Sequence, residues 1–496
     1  GGIMPINSFL YPGAKVTPAY DVANSLRFND GETQYLTRTA SSGSYGTTYT
    51  ISFWFKQTKQ NDAHEQYIYM GGDQDTANNL WIRLQGTART LYLRSRTSSS
   101  NDCVLITNRV FRDPAAWTHI VYEIDTTQGT ASNRVKLYVN GVQETSFGTE
   151  TYPDQNDTFK IATSGKNQDI GRRTDGSSYN NFGLMLAEFC LIDGTALDKD
   201  SFGEFDEDSP LIWKPKSVSG LTFGTNGFYL DFEDSSALGN DVSGNNNDFS
   251  SSGLAATDQS TDTCTNNFAT MNPLTTSSYG SLQQGNLRTV GINNADVATT
   301  FGTMSTSNSG KWYWEIKINN TTSTIYPHLG IGNDDNPYIG QNVNGNATFT
   351  GGSNFASPSF HIRGDGKVYI ANSTSNTYDS FTTDDIIQFA VDLDNGASYL
   401  GKNGTFMNSG NPASGSSKTG AITTWTAGTI SGFLPMVVFY YGAAGAGNSA
   451  EVDMNFGNPV HSISSGNSDA NGFGNFEYSV PSGYFSLCTK NLAEYG

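Results

Sequence analysis

The chain has 496 residues, 28 Lys+Arg against 47 Asp+Glu, and a formal charge of −19. Charged residues make up only 15%, while aromatics reach 12% and Gly numbers 54. Such a composition excludes a disordered chain, which lacks aromatics to bury, and opposes phosphate-backbone binding, which needs a basic footprint.

In chain order, Gly1-Gly-Ile-Met4 has no basic region followed by an apolar one, so no Sec-type signal peptide is expected there. Residues 1–19 are apolar and Pro-containing, and read as a docking segment ahead of the first folded unit. From 20 to 200 the apolar segments are short and alternate with period two. Thr50–Lys56, Asn79–Leu84, Thr90–Ser95, Trp117–Asp125 and Arg134–Asn140 are examples. Alternation puts every second side chain on one face, as half-buried antiparallel strands require. Asn140-Gly141 supplies a type I′ hairpin turn.

Residues 201–290 change character and read as a long connector. Acidic Glu204–Asp208 comes first, then Pro210 and Pro215 around Trp213, then a Ser/Asn-rich stretch. Trp213, Phe223, Phe228, Tyr229 and Phe232 make it too aromatic for a free linker, and are expected to pack on one or both flanking units. Strand alternation resumes in 291–496, from Lys311–Ile318 to Glu451–Phe456. The predicted fold class is all-β: two antiparallel β-sandwiches joined by the connector. No run approaches 18 apolar residues, so no membrane insertion is expected.

Three segments of the first half resemble the laminin-G-like, concanavalin-type jelly roll: Ser25–Leu36, then Trp117–Tyr122 with Leu137–Gly141, then Ile170–Arg173 with Phe182–Phe189 and Asp193–Leu197. The second half resembles a SPRY domain. Gly310–Ile316, His328–Gly332, Asp384–Asp394 with Tyr399 and Lys402–Gly404, Phe433–Met436 and Val452–Phe456 carry that likeness. Both folds together, behind Met4-Pro-Ile-Asn-Ser-Phe-Leu-Tyr-Pro-Gly13, are similar to structural proteins of marine tailed bacteriophages. That resemblance implies a non-enzymatic virion-surface protein, extracellular and homo-oligomeric. Its implied partners are other virion proteins and a host-surface polysaccharide or receptor. A purely architectural capsid decoration or fibre component is one alternative, and a polysaccharide depolymerase the other.

Chemistry was sought in the residues themselves. Glu123-Ile-Asp125 starts the alternating carboxylates of a polysaccharide depolymerase, but the third carboxylate is missing. No catalytic residue is therefore expected. No Gly-x-Ser-x-Gly elbow or phosphate loop occurs, and the five histidines show no i,i+4 pair. Cys103, Cys190, Cys264 and Cys488 form no CxxC pair, which opposes zinc. Cys103 and Cys190 read as buried small hydrophobes, with disulfide pairing left open. Arg363-Gly-Asp365 reads as a hairpin turn.

Calcium takes about six to eight oxygens, and the laminin-G resemblance implies it at the sandwich rim. Asp73, Asp75, Asn78, Asp169 and Asp175 are the candidate ligands. Sugar rings present apolar C–H faces to aromatic side chains, so Tyr179, Tyr338, Tyr440 and Tyr441, placed at loop edges, are the candidate ligand-binding residues.

Overall fold

A computed structural model of the chain describes residues 20–59, 64–72, 78–97, 100–173, 183–276, 280–292, 298–321, 325–334, 358–370, 373–441 and 449–496. Alternating sequence becomes alternating burial. In Val135–Val139, Val135, Leu137 and Val139 are buried while Lys136 and Tyr138 face outward. That strand turns through Asn140 and Gly141, both at positive φ (46° and 74°), as the type I′ turn demands.

The described residues form two all-β sandwiches. One sheet of the first runs Val142–Glu144, Val135–Val139, Thr118–Asp125, Thr48–Gln57, Leu184–Asp193, Ser25–Arg27, Gln259–Ser260. The facing sheet runs Phe147–Thr151, Ser100–Val110, Thr90–Thr97, Asn79–Leu84, Gln66–Gly72, Asn167–Ile170, Tyr35–Thr39, Ser250–Ser252. Between them lie Leu26, Phe53, Phe55, Tyr69, Ile82, Leu93, Leu105, Ile120 and Phe189.

In the second sandwich, Gly280–Gln283, Arg288–Ile292, Ser449–Asn455, Lys311–Asn320, Ile386–Asp392 and Ala397–Lys402 face Ala298–Phe301, Phe433–Tyr441, Ile325–Asn333, Phe360–Arg363, Lys367–Ile370 and Ser373–Thr377. Trp312, Trp314, Ile316, Phe389, Val437 and Val452 fill its core. Arg363-Gly-Asp365 is a hairpin turn: the Gly366 amide donates to the Arg363 carbonyl at 2.8 Å, and Arg363 pairs with Asp365.

The connector is woven into both units. Phe228–Leu230 pairs with Leu184–Asp193, Ser250–Ser252 with Tyr35–Thr39, and Gln259–Ser260 with Ser25–Arg27. Arg288–Ile292 pairs with Ser449–Asn455 of the second sandwich. The connector aromatics all pack on the first sandwich. Phe228 and Phe232 enter its core, while Trp213, Phe223 and Tyr229 cover the outside of the Thr48–Gln57 sheet. Sequence could not tell one sandwich from two here, because hydrophobicity does not name its partner.

Segment 261–268 forms a polar seam between the sandwiches. Lys56 is fully buried and donates to Asp262 Oδ2 (2.7 Å) and Asn267 Oδ1 (2.6 Å). Asp262 Oδ1 also accepts from Trp117 Nε1 at 3.0 Å. Thr261 reaches the Gly457 carbonyl of the second sandwich at 2.9 Å. Arg27, likewise buried, pairs with Asp258 at 3.5 Å and abuts Gly285 of the next hairpin.

Candidate ligand-binding face

The first sandwich has two outer faces, and they differ. Outside the Thr48–Gln57 sheet, the hairpin Gly203–Phe205/Trp213–Pro215 lays Trp213 over His119. Trp213 Nε1 donates to His119 Nδ1 at 2.9 Å, and His119 Nε2 lies 2.9 Å from Ser52 Oγ. An indole N–H only donates, so Nδ1 is the bare nitrogen and Nε2 carries the proton. Burial pulls this imidazole down to about 3, so it is neutral at physiological pH. The Trp213 ring leaves no room at Gly141, where an added Cβ would fall 2.2 Å from it. This face is structural. Glu123, on the same sheet, takes Lys136 (2.9 Å) and Tyr138 (3.0 Å), while Asp125 binds Thr127 and Gln128.

The facing sheet carries a different set. In Asn79–Leu84, Leu80, Ile82 and Leu84 point into the core, which turns Trp81 and Arg83 outward. In Thr90–Thr97 the same logic turns Tyr92, Arg94 and Arg96 outward. In Gln66–Gly72 a bulge between Tyr67 and Tyr69 keeps Tyr67 and Met70 on the outer side. Register then builds two rows. Tyr67, Arg83 and Tyr92 are cross-strand neighbours, as are Asp169, Met70, Trp81 and Arg94.

These side chains stack on one another. The Arg94 guanidinium lies 3.4 Å from the Trp81 ring centre, and that of Arg173 lies 4.8 Å from it. Arg83 sits 4.4 Å over Tyr92 and donates to Tyr67 Oη at 2.9 Å. Tyr67 and Trp81 meet edge to face at 5.6 Å. Beside them, Arg172 lies 3.5 Å over Tyr35 and pairs with Asp169 at 3.0 Å. Arginine on an aromatic face gains up to about 2 kcal/mol when desolvated.

None of Arg83, Arg94, Trp81, Tyr67 or Tyr92 is among the site residues expected from sequence. The signal was present: aromatic and arginine residues occupy the solvent phase of two consecutive strands, where small polar residues are usual.

The expected residues fall as follows. Tyr179, Tyr338, Asp73, Asp75 and Asp175 lie outside the described residues. Tyr440 and Tyr441 are the last two residues of the strand Phe433–Tyr441, where they pair with Tyr326 and Ile325. Continuation of the strand through both tyrosines is fixed by this pairing. Asn78 stands at positive φ (64°) beside Gly72, and Asp169 lies two strands away from the strand it opens. The Arg172 guanidinium holds Oδ1 of Asp169 at 3.0 Å. Among the described residues no three His, Cys, Asp or Glu converge to hold a metal. The four cysteines are free thiols, with Cys103 and Cys190 buried.

Residues 30–181 match the family model of the concanavalin A-like lectin/glucanases superfamily, and residues 311–457 match that of the SPRY domain. The chain thus carries a concanavalin-like, laminin-G-type domain followed by a SPRY domain. Among solved structures it is similar to the SPRY domain of human HERC1, with 15% identity and a TM-score of 0.27 over 37% of this chain and 96% of that one. It is similar to a heptameric SAP-like pentraxin from Limulus polyphemus, with 17% identity and a TM-score of 0.27 over 36% and 80%. Mouse laminin alpha1 domains LG4-5 give 11% identity and a TM-score of 0.29 over 88% and 86%. No curated protein matches the chain.

Proposed function

We propose that the protein is a non-enzymatic adhesin that binds carbohydrate on the outer face of the Asn79–Leu84 sheet. Two binding-type domains support a carbohydrate- or protein-binding role. The observation that carries the carbohydrate reading is the contiguous patch of Tyr67, Trp81, Tyr92, Arg83 and Arg94, held in register by three adjacent strands. Sheet strands fix such side chains more rigidly than loops do, which lowers the ordering cost of binding.

The setting we propose is a virion surface, with a host-surface polysaccharide as ligand and other virion proteins and further copies of the chain as assembly partners. Its support is the likeness of Met4–Gly13 and the domain pair to phage structural proteins. Calcium enters this reading through Asp73, Asp75, Asn78, Asp169 and Asp175. Calorimetry on chelated protein tests it, and no heat on adding calcium removes it.

A glycan panel probed with purified protein tests the main reading. Saturable binding that is weakened by Arg83→Gln is expected. No binding to any glycan or cell surface overturns it in favour of a purely architectural role.

A further inference from the structure

The hairpin Gly203–Phe205/Trp213–Pro215 has an inner and an outer side. Successive residues of extended chain face opposite ways, so the inward Trp213 turns Ile212 outward, where it is 58% exposed. The turn before it carries Leu211 at 97%. Phe205, the cross-strand partner of Trp213, is exposed as well. Three of the seven large apolar side chains exposed among the described residues thus lie in one hairpin. A fourth, Val142, follows the Gly141 that Trp213 covers.

The tip is a bonded turn. The Asp206 amide donates to the Ile212 carbonyl at 2.9 Å, and the Ile212 amide to the Ser209 carbonyl at 2.8 Å. Asp206 Oδ1 accepts from the amides of Asp208 (3.0 Å) and Ser209 (2.9 Å). An apolar tip fixed in this way gives up little ordering entropy when a partner covers it. Apolar side chains gathered inside a polar rim mark a contact surface.

The rim selects the partner. Glu204, Asp206, Glu207 and Asp208 lie in the same hairpin. Among the described residues Lys214 alone pairs with them, reaching Asp206 at 3.3 Å and Glu204 at 3.6 Å. Glu207 and Asp208 stay exposed. Four carboxylates against one ammonium repel an anionic lipid surface. They equally repel the like tip of a second copy, in a chain of −19. A cationic protein surface is attracted.

We propose that this hairpin tip docks a basic partner protein, with Leu211 and Ile212 seated in an apolar pocket and Glu207 and Asp208 meeting its basic rim. The tip lies outside the Thr48–Gln57 sheet, on the face opposite the Asn79–Leu84 sheet, so it is separate from the carbohydrate site proposed above.

Fluorescence anisotropy on the full chain tests this with a short labelled peptide of leucines and lysines in amphipathic order, at low and high salt. One control peptide has glutamate for lysine, the other serine for leucine. At least about tenfold tighter binding of the leucine–lysine peptide than of either control is expected, weakening with salt. Leu211→Ser and Ile212→Ser should each weaken it about tenfold, the scale of one buried aliphatic side chain. Both side chains are exposed, so neither change should move the urea midpoint. Glu207→Gln with Asp208→Asn should weaken binding and flatten its salt dependence. Val242→Ser, at an exposed apolar residue of another loop, should change nothing. Glycan binding on the opposite face should be unaffected by Leu211→Ser, so each site can fail without the other. No binding of the leucine–lysine peptide, or equal binding of the leucine–glutamate one, overturns the proposal. Binding that survives Leu211→Ser and Ile212→Ser together removes it from this hairpin. Sedimentation of the chain alone covers the other occupant: a dimer that Leu211→Ser dissolves gives the tip to a second copy and overturns the basic partner.

Discussion

Glu188→Gln should stabilise the protein at alkaline pH and leave it unchanged at acid pH. Glu188 sits at φ +51° in a bulge of the strand Leu184–Asp193 and is 6% exposed. Its Oε2 accepts hydrogen bonds from both Tyr20 and Tyr229, each at 2.8 Å. Burial pushes the carboxyl up to about 7 from an ordinary 4.5. The tyrosine bonds hold it back in part, and Asp231 and Glu233 add to the rise. At 1.36 kcal/mol per pH unit, that gap amounts to about 3 kcal/mol. Its sign follows from proton counts. Between pH 4.5 and 7 the folded chain holds a proton that the unfolded chain has released. Stability from this group is therefore complete at the acid end, falls as pH rises through the window, and is lost above 7. Glutamine has no charge to bury, and its carbonyl accepts the same hydroxyls. Urea unfolding at pH 4.5, 6 and 8 reads the difference between variant and parent, in which other titrating groups cancel. The expected gain is near zero at pH 4.5 and up to about 3 kcal/mol at pH 8. A difference that is flat across pH refutes the reasoning.

Asp262→Asn strands the Lys56 charge in the seam and should cost about 3–5 kcal/mol, seen as a lower urea midpoint; an unmoved midpoint counts against a buried pair. Gly141→Ala asks for positive φ and collides with Trp213, so a loss above about 1 kcal/mol and a changed tryptophan emission are expected. His119 should show the Nε2–H tautomer by nitrogen NMR and no titration between pH 5 and 8, and a midpoint above 6 would sink that assignment.

Period-two alternation made the strands legible, because it reports which side of a sheet meets the core. It was equally informative about Arg83, Arg94 and Trp81, which occupy the outward phase. Their assembly into one patch was not legible. It depends on cross-strand register, including the bulge at Tyr67–Tyr69, and register is set by pairing between distant segments. Asp169 is a second case. Its residue type suits a cation, and the structure sets beside it the guanidinium of Arg172, three positions on, a pairing that residue type alone does not announce. The connector aromatics were recognised as packed, yet which surface they cover follows from the Trp213–His119 bond, a contact 94 residues long in sequence.

The seam around Lys56 and Asp262 also determines how the molecule carries load. A flexible linker acts as an entropic spring and lets its two ends sample many distances. Buried bonds from Arg27 and Lys56 instead tie the connector to the first sandwich, and Thr261 carries it on to Gly457 of the second. A load on one sandwich would then reach the other through short, bonded chain and not through slack. For copies arrayed on a surface, the spacing between neighbouring first sandwiches would then follow the spacing of their anchors. Avidity for any ligand long enough to bridge several copies would then be set by that lattice, and not by chain slack.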